Sequence, residues 1–151
     1  MGLKAKGSIS DLRKRMEAAK RNVETATLLR LQKLGEKAVK HAKSIPPETG
    51  FRDQTGNLRS SMGYAVYLNG NLKTQSFDGD NEGIQKGAEH CKAVALDYPS
   101  GWLLVVVAGM EYALAVESRG RDVLTSAEQL VWKEMPGEMQ KLRNAIKRAK
   151  L

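Results

Sequence analysis

From Ile9 to Ser44, apolar side chains return at Leu12, Met16, Ala19, Val23, Ala26, Leu31, Leu34, Ala38 and Ala42. Those steps of three and four put them on one face of a helix. Pro46-Pro47 then stops the pattern, so a single helix is predicted over 9–44. Ser8 or Ser10 followed by Asp11 supplies its start, although Ser10 with Arg13 does not make a full capping box. Gly35 interrupts the face and predicts a bend, at about 1 kcal/mol relative to Ala. A helix this long needs something to lie against. Its first half is rich in Arg and Lys and poor in large apolar groups, so it is expected to leave the body and reach a neighbouring subunit.

The rest of the chain alternates shorter signals. Residues 46–57 form a loop with the Asp53-Gln54-Thr55-Gly56-Asn57 turn signal. Leu58 to Leu68 places Met62, Tyr64, Val66 and Leu68 on one alternation and predicts a half-buried strand. Asn69 to Gly83 is polar and Gly-rich and is expected to be the least ordered part. Ile84 to Leu96 has Ile84, Ala88, Cys91 and Ala95 at helical spacing, with Gly87 against it. Trp102 to Ala108 is continuously apolar and predicts a central strand covered on both faces. A helix returns over 127–149, which Pro136-Gly137 is expected to kink or divide. The expected fold class is α+β: one domain over 1–151, a small antiparallel sheet with the long N-terminal helix and the C-terminal helix packed on it. Its 151 residues suit one domain with a real core.

Charge is divided along the chain. Residues 1–45 hold twelve basic and four acidic side chains, residues 46–140 eight and thirteen, and residues 141–151 five and none. The basic ends have three readings: contact with nucleic acid, solvation of long helices, or docking of one copy's basic end on the acidic middle of the next. A single cysteine, Cys91, gives no sign of an oxidising compartment. No apolar stretch follows Met1-Gly2-Leu3-Lys4-Ala5-Lys6-Gly7, and the longest apolar run is too short to span a bilayer. The chain is therefore read as soluble, made in a cytoplasm, with no membrane partner.

Chemistry is sparse. His41 and His90 lie about fifty residues apart, and with one cysteine they make a poor zinc set. Neighbouring His90 and Cys91 point different ways, which disfavours a catalytic pair. One near-match remains: Asp78, Asp80, Glu82 and Glu89 fall at positions one, three, five and twelve of a calcium loop, with Gly83 at six. Lys86 at position nine and Gln85 at eight depart from that pattern, and a mobile acidic loop is the expectation. No cofactor and no enzymatic activity are expected; an enzyme using the acidic segment as a metal site is the weakest of the alternatives.

Two segments carry a resemblance. Asp53-Gln54-Thr55-Gly56-Asn57-Leu58-Arg59-Ser60-Ser61-Met62 is similar to the TG-x-L-R-x-S segment of bacteriophage head–tail connector and tail-completion (neck) proteins. Ala108-Gly109-Met110-Glu111-Tyr112-Ala113-Leu114-Ala115-Val116-Glu117 resembles the same family's strand followed by YA-x-x-V-E. Gly120 and Val123-Leu124 stand where that family has a glycine and a PFL-like segment before its last helix. Departures are Ser118-Arg119 after the glutamate, Asp122 in place of proline, and an insertion over 69–101. The resemblance implies a non-enzymatic virion protein made in a bacterial host cytoplasm and destined for the neck or tail. Its partners would be itself in a six- or twelve-fold ring, portal or adaptor proteins and tail proteins, with non-specific DNA passage through the ring. It marks Thr55, Gly56, Leu58, Arg59, Gly109, Tyr112, Ala113, Glu117 and Leu124 as motif and assembly positions. Leu58 and Tyr112 are expected in the core, and Arg59 with Glu117 as an ion pair within one subunit or between two. The alternative function is a nucleic-acid-binding module using the basic N-terminal helix.

Overall fold

A computed structural model describes residues 7–53, 55–110 and 113–149. Its first element, α1, spans Ile9–Ser44. Ser8 caps it: the Ser8 Oγ accepts from the Asp11 N–H at 3.2 Å, and the Asp11 carboxylate accepts from the Ser8 N–H at 3.3 Å. This is a capping box with Asp in the place of the usual Glu, two residues earlier than the Ser10–Arg13 pair. At the other end Ile45 is extended, as the residue before Pro46 must be.

The chain then makes α2 (Asn57–Ser60), β1 (Met62–Leu68), β2 (Asn71–Phe77), α3 (Asn81–Ala95), β3 (Trp102–Ala108), α4 (Ala113–Ser118) and α5 (Thr125–Arg148). The three strands form one antiparallel sheet in the order β2-β1-β3. The fold is α+β, a small antiparallel sheet with long helices at either end of the sequence.

Three expectations change here. The central strand is β1, buried along almost its whole length, while the more apolar β3 lies at an edge of the sheet. Apolarity along β3 reflects covering helices on its two faces, which sheet position does not decide. The predicted strand from Leu58 begins instead with one helical turn, because Asp53 accepts from the Leu58 and Arg59 N–H groups at 3.4 and 2.7 Å and holds that turn. Third, residues 69–83 are not a loose loop. They contain β2, which returns from β1 through Asn69 and Gly70, both at positive φ, as a tight hairpin requires.

The sheet is sandwiched. On one face Tyr64 and Val66 pack with Leu31 of α1. On the other, Ala65, Tyr67, Val105 and Val107 pack with Cys91 and Ala95 of α3. The stretch 69–101 thus builds one edge of the sheet and the layer over its second face. Gly35 does not divide α1: the helix continues through it, and a Cβ there would come within 2.6 Å of the Tyr64 ring. The missing side chain allows a close helix–sheet approach.

Helix α5 runs unbroken through Pro136 and lies antiparallel along α1. Contacts pair His41 Nε2 with Ser126 Oγ at 2.8 Å, Lys37 with Glu134 at 2.5 Å, and Arg30 with Glu138 at 3.3 Å. With that pairing α5 runs out near Lys20. Residues 9–17 are exposed on every side, so α1 overhangs the body by its first turns. At about 1.5 Å per residue those nine residues reach roughly 13 Å.

Candidate assembly surfaces

The two family-like segments meet in space. Leu58 and Met62 from the first pack in one cluster with Ala113 from the second, together with Val123, Ala127, Phe51 and the α1 residues Ala38 and Ala42; Leu124 packs against it. Leu58 is core, as expected. Tyr112 lies outside the described residues. Gly56 takes a positive φ of 78° at the start of α2, and the Thr55 Oγ accepts from the Asn57 N–H at 3.4 Å. Together they form the turn that aims Leu58 inward. Gly109 donates its N–H to the Ser61 carbonyl at 3.2 Å and carries the β1–β3 pairing one step past the strand. A Cβ on Gly109 would fall 2.6 Å from the Gly87 backbone, so this position seats α3 against the end of β3.

Arg59 and Glu117 do not pair with each other within the chain. The Arg59 guanidinium lies over the Phe51 ring at 5.1 Å from its centroid, and its Nε is buried without a hydrogen-bond partner among the described residues. Glu117 turns to α5 instead. Its Oε1 accepts from the Leu124 N–H at 3.2 Å, the Thr125 N–H at 2.9 Å and the Thr125 hydroxyl. Leu124, at the N-cap position, has no oxygen to offer, so a carboxylate seven residues upstream supplies the missing acceptor and complements the helix dipole.

The calcium-like acids separate. Asp80 is the N-cap residue of α3, Glu82 accepts from the Asn57 amide at 3.1 Å, and Glu89 accepts from Gln85 at 2.9 Å farther along the helix. The Asp78 carbonyl accepts from Lys43 at 3.0 Å. Residues 81–89 are helical, so they cannot wrap an ion as a loop does, and no group of three metal-ligating side chains occurs among the described residues. Cys91 is fully buried, and burial pushes its thiol up to about 12, far from a reactive thiolate.

What the surface does present is apolar. On the overhang of α1, Ile9 is 80% exposed, Leu12 59% and Met16 64%, spaced i, i+3, i+7 along one stripe bordered by Arg13, Glu17 and Lys20. On the face of the sheet away from α1, a groove of about 570 Å³ runs between α3 and the β1–β2 hairpin, lined by Tyr67, Leu72, Ala88, Ala95, Leu96 and Pro99. Leu72 is 48% exposed there and Leu96 76%. The overhang covers residues 9–17, less than the first half of α1 expected to leave the body, and the groove's one trace in the sequence is the apolar ending Leu96, Tyr98, Pro99 after α3. Among the described residues no helix is long and apolar enough to cross a membrane.

Searches against protein-family models, curated proteins and solved structures return no match to this chain.

Proposed function

We propose that this chain is a structural, non-catalytic protein of a tailed phage or prophage, assembling at the head–tail junction or completing the tail. What supports the reading is the convergence of segments 53–62 and 108–117, far apart in sequence, on one cluster flanked in the family's order by a long first helix and a last helix. Its mechanism is assembly. Copies form a ring around the DNA passage, between portal or adaptor proteins on one side and tail proteins on the other. The net charge of +8 tolerates DNA in transit without reading its sequence. Synthesis is in the host cytoplasm, and the final location is the virion neck or tail.

The test is deletion of the gene from the phage genome that carries it, with electron microscopy of the lysate. Unjoined heads and tails, or tails of faulty length, are expected. Normal infectious particles contradict the reading. One observation favours a second reading: residues 9–17 overhang the body and carry Arg13, Lys14 and Arg15 against Asp11 and Glu17, a surface that would hold nucleic acid directly. Duplex DNA binding that weakens steeply with salt, by orders of magnitude for several phosphate contacts, would favour that reading.

A further inference from the structure

We infer that the groove between α3 and the β1–β2 hairpin receives the overhanging tip of α1 from a second copy of this chain. This deepens the assembly reading, on which it rests, by assigning a partner to each of two surfaces. The tip is an amphipathic helix with anchors at i, i+3 and i+7, the arrangement by which a helix lays an apolar face into a groove. Ile9, Leu12 and Met16 supply the anchors. A continuous helix carries them away from the rest of the chain, so the same copy cannot cover them. Leu72, Ala88, Ala95 and Leu96 supply an apolar floor and walls of matching chemistry.

Charge agrees with this pairing. The tip region 7–21 has five basic and two acidic side chains, and the groove-bearing segment 69–101 has three basic and five acidic ones. At closer range, Arg13, Glu17 and Lys20 border the stripe, while Glu89 and Lys92 border the groove, so each edge can meet an opposite charge. Tip and groove are different surfaces, and a contact that two copies do not return to each other is heterologous: repeated, it closes into a ring or runs on as a filament. The segment 69–101 thereby has a role beyond covering the sheet. It is the socket.

The test uses the full chain, a tip variant Leu12→Glu/Met16→Glu and a groove variant Leu72→Glu/Leu96→Glu, all at exposed positions, with circular dichroism to verify folding. Sedimentation velocity should show concentration-dependent self-association of the native chain. Each variant alone should associate about 10–100-fold more weakly. The mixture is decisive, because the tip variant keeps an intact groove and the groove variant an intact tip: a 1:1 dimer that does not extend is expected. Three results overturn the inference: a native chain monomeric up to roughly millimolar concentration, a groove variant that associates as the native chain does, or a mixture that stays monomeric. Any of these leaves the deletion phenotype unchanged and so spares the neck reading. Normal particles after deletion, with the mixture forming its dimer, would do the reverse.

Discussion

Glu117 and Glu138 show how single carboxylates hold the helical layer together. Glu117 caps α5 from outside it, so Glu117→Ala leaves the Leu124 and Thr125 N–H groups without that acceptor. Loss of a cap costs about 1 kcal/mol and at most about 2, and urea denaturation of this variant should show a lower midpoint with an unchanged slope, the product of shift and slope giving that loss. Glu138 is buried between Arg30 and Lys141, at 3.3 and 2.9 Å. The hydrogen bond from Lys141 holds its carboxyl below the ordinary value against the opposing effect of burial, and the hydrogen bond from Lys37 does the same for Glu134. Depressed carboxyl values fix the sign: the stabilisation is present above the unfolded value, about 4.3, and is lost as pH falls through the folded values. We expect the urea midpoint to hold from pH 7 to about 5 and to fall below about 4.3. In the Glu134→Gln/Glu138→Gln variant that acid-dependent fall should be shallower, and an equal fall would contradict the assignment. Neither role was legible in sequence, because capping from seven residues upstream and pairing across some hundred residues leave no local signature.

At the scale of elements, α3 depends on what its buried face lacks. Gly83, Gly87, Cys91 and Ala95 follow one another at four-residue steps and are all buried. A Cβ on Gly87 would meet the Ser61 carbonyl oxygen at 2.6 Å and the Phe77 ring at 2.5 Å. Gly87→Ala gains up to about 1 kcal/mol of helix propensity, while overpacking against a fixed carbonyl costs about 1–3 kcal/mol. With backbone on the far side the clash wins, and denaturant titration should show a net loss of up to about 2 kcal/mol. Pro136 gives the opposite case. It sits exposed inside α5, so Pro136→Ala should raise stability by up to about 3 kcal/mol, measurable in the same titration. The helix of 9–44 and the strand of 102–108 were readable because each has a strong local pattern. Gly87 counted against α3 in sequence, since glycine lowers helix propensity whether or not a neighbour needs the space. Sheet order was equally hidden: β1 and β3 are both apolar, and only the pairing of the polar β2 with β1 decides which is central.

The whole molecule is a three-layer body with a projecting arm. Pairing between α1 and α5 fixes the arm's direction, and α3 with the β1–β2 hairpin forms a groove on the other face of the sheet. The arm was legible because its first half carries too few large apolar groups to be core. The groove was not, because only tertiary packing brings Leu96, beyond α3, against the hairpin pair Tyr67 and Leu72. In the proposed pairing the exposed ridge of one copy enters the groove of the next, and closure of that contact would give the ring proposed for the head–tail junction. Negative-stain electron microscopy of the purified chain at high concentration, alone and with portal particles, tests this directly. The account predicts closed rings with a central opening, in one or both samples. Monomers or twofold dimers alone in both samples would contradict it.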